Sequence, residues 1–168
     1  MGKASVASIA REHFSTLKDD SGRFNLIDIV FQIAMPILAG GLVLLSGWVV
    51  SDAGAMVTGV SIVAALMGAM AVLIFQIRLS IPEDKRLDVY DYMLVDEVFS
   101  NILWAILVGF ALSLILVLYQ SFNAKDVPIV GACVTSIVAA SGLHFVIVVG
   151  MCLKRLNIAY MRIAAKRG

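Results

Sequence analysis

Hydrophobic positions in this chain come in four long runs, and the polar positions collect between them. The runs cover about residues 26–50, 53–77, 98–122 and 127–153, and none alternates with the period of two that a barrel strand shows. At about 1.5 Å rise per residue, each exceeds the roughly 20 residues that cross a hydrocarbon layer about 30 Å thick. Where no water satisfies the backbone, helices are the permitted solution for such runs. The pattern predicts an all-α, polytopic membrane protein with four transmembrane helices. Ahead of them Val6, Ile9, Ala10, Phe14 and Leu17 share one face at helical spacing, while Lys3, Arg11, Glu12 and Lys18 fall elsewhere. That is the pattern of an N-terminal interfacial amphipathic helix, with Gly22 as its stop. Two roles suit it: an anchor at the headgroups, or a plug at a pore mouth.

The resulting plan is an interfacial segment over 1–24, a four-helix transmembrane domain over 25–153 with a loop at 78–97, and a basic tail over 154–168. The first apolar run begins near Leu26, later than a cleavable secretory signal requires, so residues 1–23 are expected in the mature chain.

Composition agrees with the pattern: 61% of the 168 residues are hydrophobic and 15% charged, too few polar side chains to coat a soluble globule. Charge then orients the spans. Lys3, Arg11, Lys18 and Arg23 precede the first, Arg78, Lys85 and Arg86 lie between the second and third, and Lys154, Arg155, Arg162, Lys166 and Arg167 follow the fourth. Lys125 alone falls on the other side. The positive-inside rule therefore puts both termini and the middle loop in the cytoplasm. Six acids, Glu83, Asp84, Asp88, Asp91, Asp96 and Glu97, sit in or near the middle loop, so loop and tail should attract each other or find separate partners.

Within the spans, two stripes stand out. Span one carries Asp28, Gln32, Pro36 and Gly40 at successive i, i+4 steps, and span four carries Ala132, Ser136, Ala140 and His144 in the same way. The pore or gate candidates are Asp28, Gln32, Pro36, Ser136, Ala140 and His144, with Asp96 and Glu97 as rings at the mouth. His144, the one ionisable group deep in a span, has a structural alternative as a neutral packing residue. Asp28 lies about one turn from the boundary, where its carboxylate can snorkel. Span two is a ladder of small residues, among them Gly54 and Thr58, Ala55 and Gly59, and Ala64 and Gly68, suited to close helix contact. A helix start is expected at Ser80-Ile81-Pro82, with Asp84, Asp88 and Asp91 on one face as a docking surface or a divalent-cation site. Candidates for an anionic ligand or lipid are Arg11, Lys18, Lys154, Arg155, Tyr160, Arg162, Lys166 and Arg167.

Catalytic signatures are missing: there is no P-loop, nucleophile elbow, H-E-x-x-H or dinucleotide turn. Cys133 and Cys152 lie 19 residues apart on one span, roughly 28 Å along a helix, too far for a disulfide. No His/Cys cluster suggests a metal or a cofactor. The chain is expected not to be an enzyme.

The segment REHFSTLKDDSGRFNLIDIVFQIAMP, four tight spans and a basic tail give the chain a plan that resembles the small membrane effectors of bacterial anti-phage defence, the Hailong-type channel among them. The resemblance implies a homotetrameric ion channel of the inner membrane. It further implies that a single-stranded DNA oligomer, made by a partner nucleotidyltransferase, holds the channel shut until infection opens it and depolarises the cell. No ligand-binding residue is implied by it. The residues themselves lead to a homo-oligomeric pore, because four helices leave little interior for a water path except on a symmetry axis. A non-conducting accessory subunit and a small transporter remain the other classes.

Overall fold

The computed structural model describes residues 5–15, 29–80, 89–122 and 127–167, and side chains within these except at 80, 89–93 and 162–167. The described part is 93% helical and holds no strand. Five helices follow in order: α1 (Val6–Ser15), α2 (Val30–Ser46), α3 (Ala53–Ser80), α4 (Val89–Ser121) and α5 (Pro128–Arg167). Helices α3, α4 and α5 are long and apolar enough to cross a membrane, and α2 is a shorter apolar helix. Asp28, Lys18, residues 81–88 with Asp84 and Asp88, and the tip of the last connection lie outside the described residues.

Local chemistry sets where the helices stop. Gly47 ends α2 in the left-handed region at φ 67°, where a side chain would be strained, and its N–H closes on the Leu44 carbonyl. Asp52 then caps α3, its carboxylate accepting from the Ala55 N–H at 3.1 Å. Pro128 opens α5 at a position where its missing N–H costs nothing. Ser80 is the last described residue of α3, and the helix start expected at Ile81-Pro82 lies outside the described residues. The basic tail continues α5 as a helix to Arg167.

Helices α2 to α5 form an antiparallel row in the order α3, α4, α5, α2, and among their described residues close backbone approach occurs only between neighbours in that order. Small residues let the neighbours meet. Gly109 of α4 sits where a Cβ would come within 3.0 Å of both Ala64 of α3 and Phe145 of α5. Gly40 of α2 sits where a Cβ would lie 3.0 Å from the Ala140 Cβ and from the Ser136 carbonyl of α5. A row buries little of each rod: 17%, 33% and 22% of the most apolar stretches of α3, α4 and α5, which marks α4 as the best covered. What is buried forms two apolar clusters, one around Ile102, Ala105 and Val148, the other around Leu112, Leu116 and Val138.

Polar ties hold the row at both ends. At the charged end, adjacent acids of α4 reach to opposite sides: Asp96 meets Arg78 of α3 at 3.0 Å and Glu97 meets Arg155 of α5 at 2.8 Å. At the other end the Tyr119 hydroxyl donates to the Val50 carbonyl and the Val50 N–H donates to the Thr135 hydroxyl, both at 3.1 Å.

Helix α1 packs on α4. On the face that helical spacing marks as apolar, Ile9 and Ala10 are half-buried and Val6 is exposed, while Arg11 and Glu12 point to solvent. His13, on the same side as Ile9 and Ala10, is the one residue of the helix that is fully enclosed.

Candidate functional site

The site starts from a missing proton. Pro36 has no N–H, so the carbonyl of Gln32, four residues earlier, loses its ordinary helical partner. The backbone there is wound as a π turn over Val30–Ala34, in which the Met35 N–H reaches back to the Val30 carbonyl. From α5, the Nδ1–H of His144 donates to the Gln32 carbonyl at 2.9 Å. From α4, the Nε1–H of Trp104 donates to His144 Nε2 at 3.1 Å. An imidazole that donates at Nδ1 and accepts at Nε2 is a neutral ring in one tautomer. His144 therefore joins three helices through both of its nitrogens.

His13 of α1 enters beside this ring. It is 0% exposed, bonds through Nδ1 to Asn101 Oδ1 at 2.7 Å, and stacks on Trp104 with ring centroids 5.3 Å apart and planes 16° apart. The His144 ring stands perpendicular to it with centroids 6.4 Å apart, and Phe14 packs on both His13 and Trp104. Burial pushes the His13 imidazole down from 6.5 to about 4; its bond to Asn101 opposes this, His144 adds to it, the Gln32 amide opposes it, and Arg155 adds a little. The Gln32 side chain, 1% exposed, donates to the Met151 sulfur at 2.9 Å. The cluster is thus Gln32, His13, Asn101, Trp104, His144 and Met151, drawn from four helices.

Five of the eight pore candidates meet here or within the next two turns. The stripes of spans one and four face each other: Gln32 opposes His144, and Gly40 opposes Ser136 and Ala140, with the Ser136 hydroxyl donating to the Gly40 carbonyl at 2.7 Å. Pro36 is buried between them. Inside one protomer these residues form a helix seam. They also edge an open groove of about 400 Å³ between α2 and α4, floored by α5. A second groove of about 500 Å³, nearly all apolar, lies between α3 and α5, with Leu112 and Leu116 of α4 in its floor. Asp96 and Glu97 stand at the charged end in the ion pairs already described. Among the basic candidates, Arg155 is spent on Glu97, Arg11, Lys154 and Tyr160 are exposed, and Arg162, Lys166 and Arg167 lie on the last turns of α5 with side chains outside the description. Among the described residues no group of three His, Cys, Asp or Glu is placed to hold a metal ion.

His13, Asn101 and Trp104 were not legible as site residues. One bond was within reach: a proline at 36 frees the carbonyl at 32, and a neutral histidine in another span is a natural donor for it. No family model, curated protein or solved structure matches this chain.

Proposed function

We propose that this chain is a multi-pass protein of the inner membrane, with four spans and both termini cytoplasmic, that assembles into a homo-oligomeric ion channel. The observation that supports it is a stripe on α3, one of the two outer helices of the row. Gly54, Thr58, Ser61, Ala65, Gly68, Val72 and Gln76 recur at helical spacing along it, and each is half-exposed or exposed in the single protomer. The Thr58 hydroxyl donates to the Gly54 carbonyl, and Ser61 shares a hydroxyl contact of 3.4 Å with Ser113 of α4. A face of small and hydroxylated residues is a poor match for lipid and a good one for a narrow wet path. Around a symmetry axis it would repeat, with the Arg78–Asp96 pair at its charged mouth. The likeness in plan to anti-phage effectors adds a tetramer, a single-stranded DNA or nucleotide ligand from a partner nucleotidyltransferase, and depolarisation as the output. Lys154 and Tyr160, exposed on the long extension of α5, are then the described residues best suited to that ligand.

Gly68 gives the test, because a side chain there meets nothing within 4 Å in the protomer. Gly68→Leu should fold and assemble as the native protein does, yet pass several-fold less current in planar bilayers. Absence of current from the native protein with and without oligonucleotide, together with unchanged membrane potential on expression, would overturn the channel.

A second reading, a non-conducting accessory subunit, draws on the α2–α5 seam: within the protomer Ser136 bonds the Gly40 carbonyl, His144 the Gln32 carbonyl and Trp104, and the Gln32 amide the Met151 sulfur. A stable monomer in mild detergent that co-purifies with one other membrane protein would favour it.

A further inference from the structure

Glycines in membrane spans let helices close on one another, and Gly40 and Gly109 do so here. Gly59 of α3 and Gly142 of α5 do not. Beyond its own helix, a Cβ at Gly59 would meet nothing within 4 Å, and one at Gly142 would meet only the Leu112 Cδ2, at 3.9 Å. Both glycines stand on facing walls of the apolar groove between α3 and α5, and the room they leave is part of its volume of about 500 Å³.

We propose that this groove seats one acyl chain of a bilayer phospholipid, drawn from the leaflet on the side away from the Arg78–Asp96 and Arg155–Glu97 pairs. Its walls and floor belong mainly to α3, α4 and α5, the three helices long and apolar enough to cross a membrane, so it opens among lipid tails. Along α5 the lining runs from Thr135 to Val146, about 16 Å at the helical rise. That is about half of a hydrocarbon layer roughly 30 Å thick, the depth of one leaflet. Trp48, exposed just past the Gly47 stop, marks the end where the headgroups lie, a level that suits an indole.

Chemistry narrows the occupant further. Among the described residues none that lines the groove is charged, and the Thr135 hydroxyl is engaged by the Val50 N–H. An extended peptide would therefore bury its backbone groups without partners. A helix is too thick: at about 10 Å across and 5.4 Å per turn it fills roughly 400 Å³ each turn, so the groove would take little more than one. A chain of methylenes needs no hydrogen bond and can follow the floor of Leu112, Leu116 and Phe145, held by dispersion contacts. Helical spacing puts Met56, Gly59 and Val63 on the side of α3 opposite Thr58, Ser61 and Ala65. The groove thus faces lipid where the stripe faces the proposed path, and its occupancy rests on the membrane placement of the chain, not on conduction.

Photolysis of the full-length protein in nanodiscs that carry a trace of phospholipid with a diazirine midway along one acyl chain reads the site, once the adducts are mapped by mass spectrometry. Relative to exposure, Met56, Val63 and Val146 should carry several-fold more adduct than Leu45 and Ile62, which stand exposed off the groove. The double variant Gly59→Leu, Gly142→Leu fills the groove and should lower its adducts several-fold while Leu45 and Ile62 keep theirs. Adducts in simple proportion to exposure, a groove left bare because a second copy covers it, or groove adducts undiminished in the double variant would overturn the lipid site. Should that variant misfold, the comparison within the native protein still decides. A chain that does not enter nanodiscs would instead overturn the membrane placement, and groove labelling without current would overturn conduction alone.

Discussion

The seam between α5 and α2 and the seam between α3 and α4 are built by different means. The first is directional: His144 donates to the Gln32 carbonyl, Ser136 donates to the Gly40 carbonyl, and Gly40 lets the backbones close to the point where a Cβ would touch. The second is steric: Ala64 fits over Gly109, Met67, Ala71 and Ile74 meet the Ile102 and Ala105 side of α4, and Ser61 and Ser113 supply the polar contact within the span. Lipid is as apolar as the side chains it would replace, so neither seam has the hydrophobic drive available in water. A seam of hydrogen bonds fixes register and depth, because a slip of one residue breaks each bond. A seam of small side chains fixes distance and tolerates sliding.

Three substitutions sharpen that contrast. Gly40→Ala should cost most, about 3 kcal/mol, because one of the atoms its Cβ meets is the Ser136 backbone carbonyl, which cannot move aside, and the Ser136 bond to residue 40 opens with the seam. Unfolding by denaturant in bicelles would measure it, and a loss below that of Gly109→Ala would remove the distinction. His144→Ala should cost about 2 kcal/mol, since the Gln32 carbonyl and the Trp104 N–H both lose their partner. A double-mutant cycle with Trp104→Phe should show coupling, and strict additivity would show that the bond carries nothing. Gly109→Ala should cost about 1 kcal/mol, because one of its two close neighbours is the Phe145 ring, which can tilt. Gly59→Ala is the control. Its Cβ meets nothing within 4 Å, so stability should hold or rise.

Much of the architecture was legible before any coordinates. Runs of apolar residues without alternation point to helices, whereas the punctuation by Gly47, Asp52 and Pro128 emerged only in the structure. The two polar stripes were legible as stripes, since i, i+4 spacing places them on one side of any helix. Their use was not. Whether Gln32 and His144 face a pore or each other depends on which spans are neighbours, and no local signal states that α2 packs beside α5 while α3 takes the far edge. Helix α1 shows the same limit: helical spacing marks the side of Ile9 and Ala10 as the one to bury, and no local signal states that His13 on that side meets Asn101, 88 residues away.

The sequence by itself determined that the chain is built of long apolar helices and about where they run, because hydropathy acts on stretches of about twenty residues. Tertiary structure alone decided the order of the row, the meeting of two histidines over Trp104, and the pairing of Asp96 with one neighbour and Glu97 with the other. Those outcomes turn on distances between residues remote in the chain, where a shift of a few ångströms separates a hydrogen bond from an unpaired group in lipid.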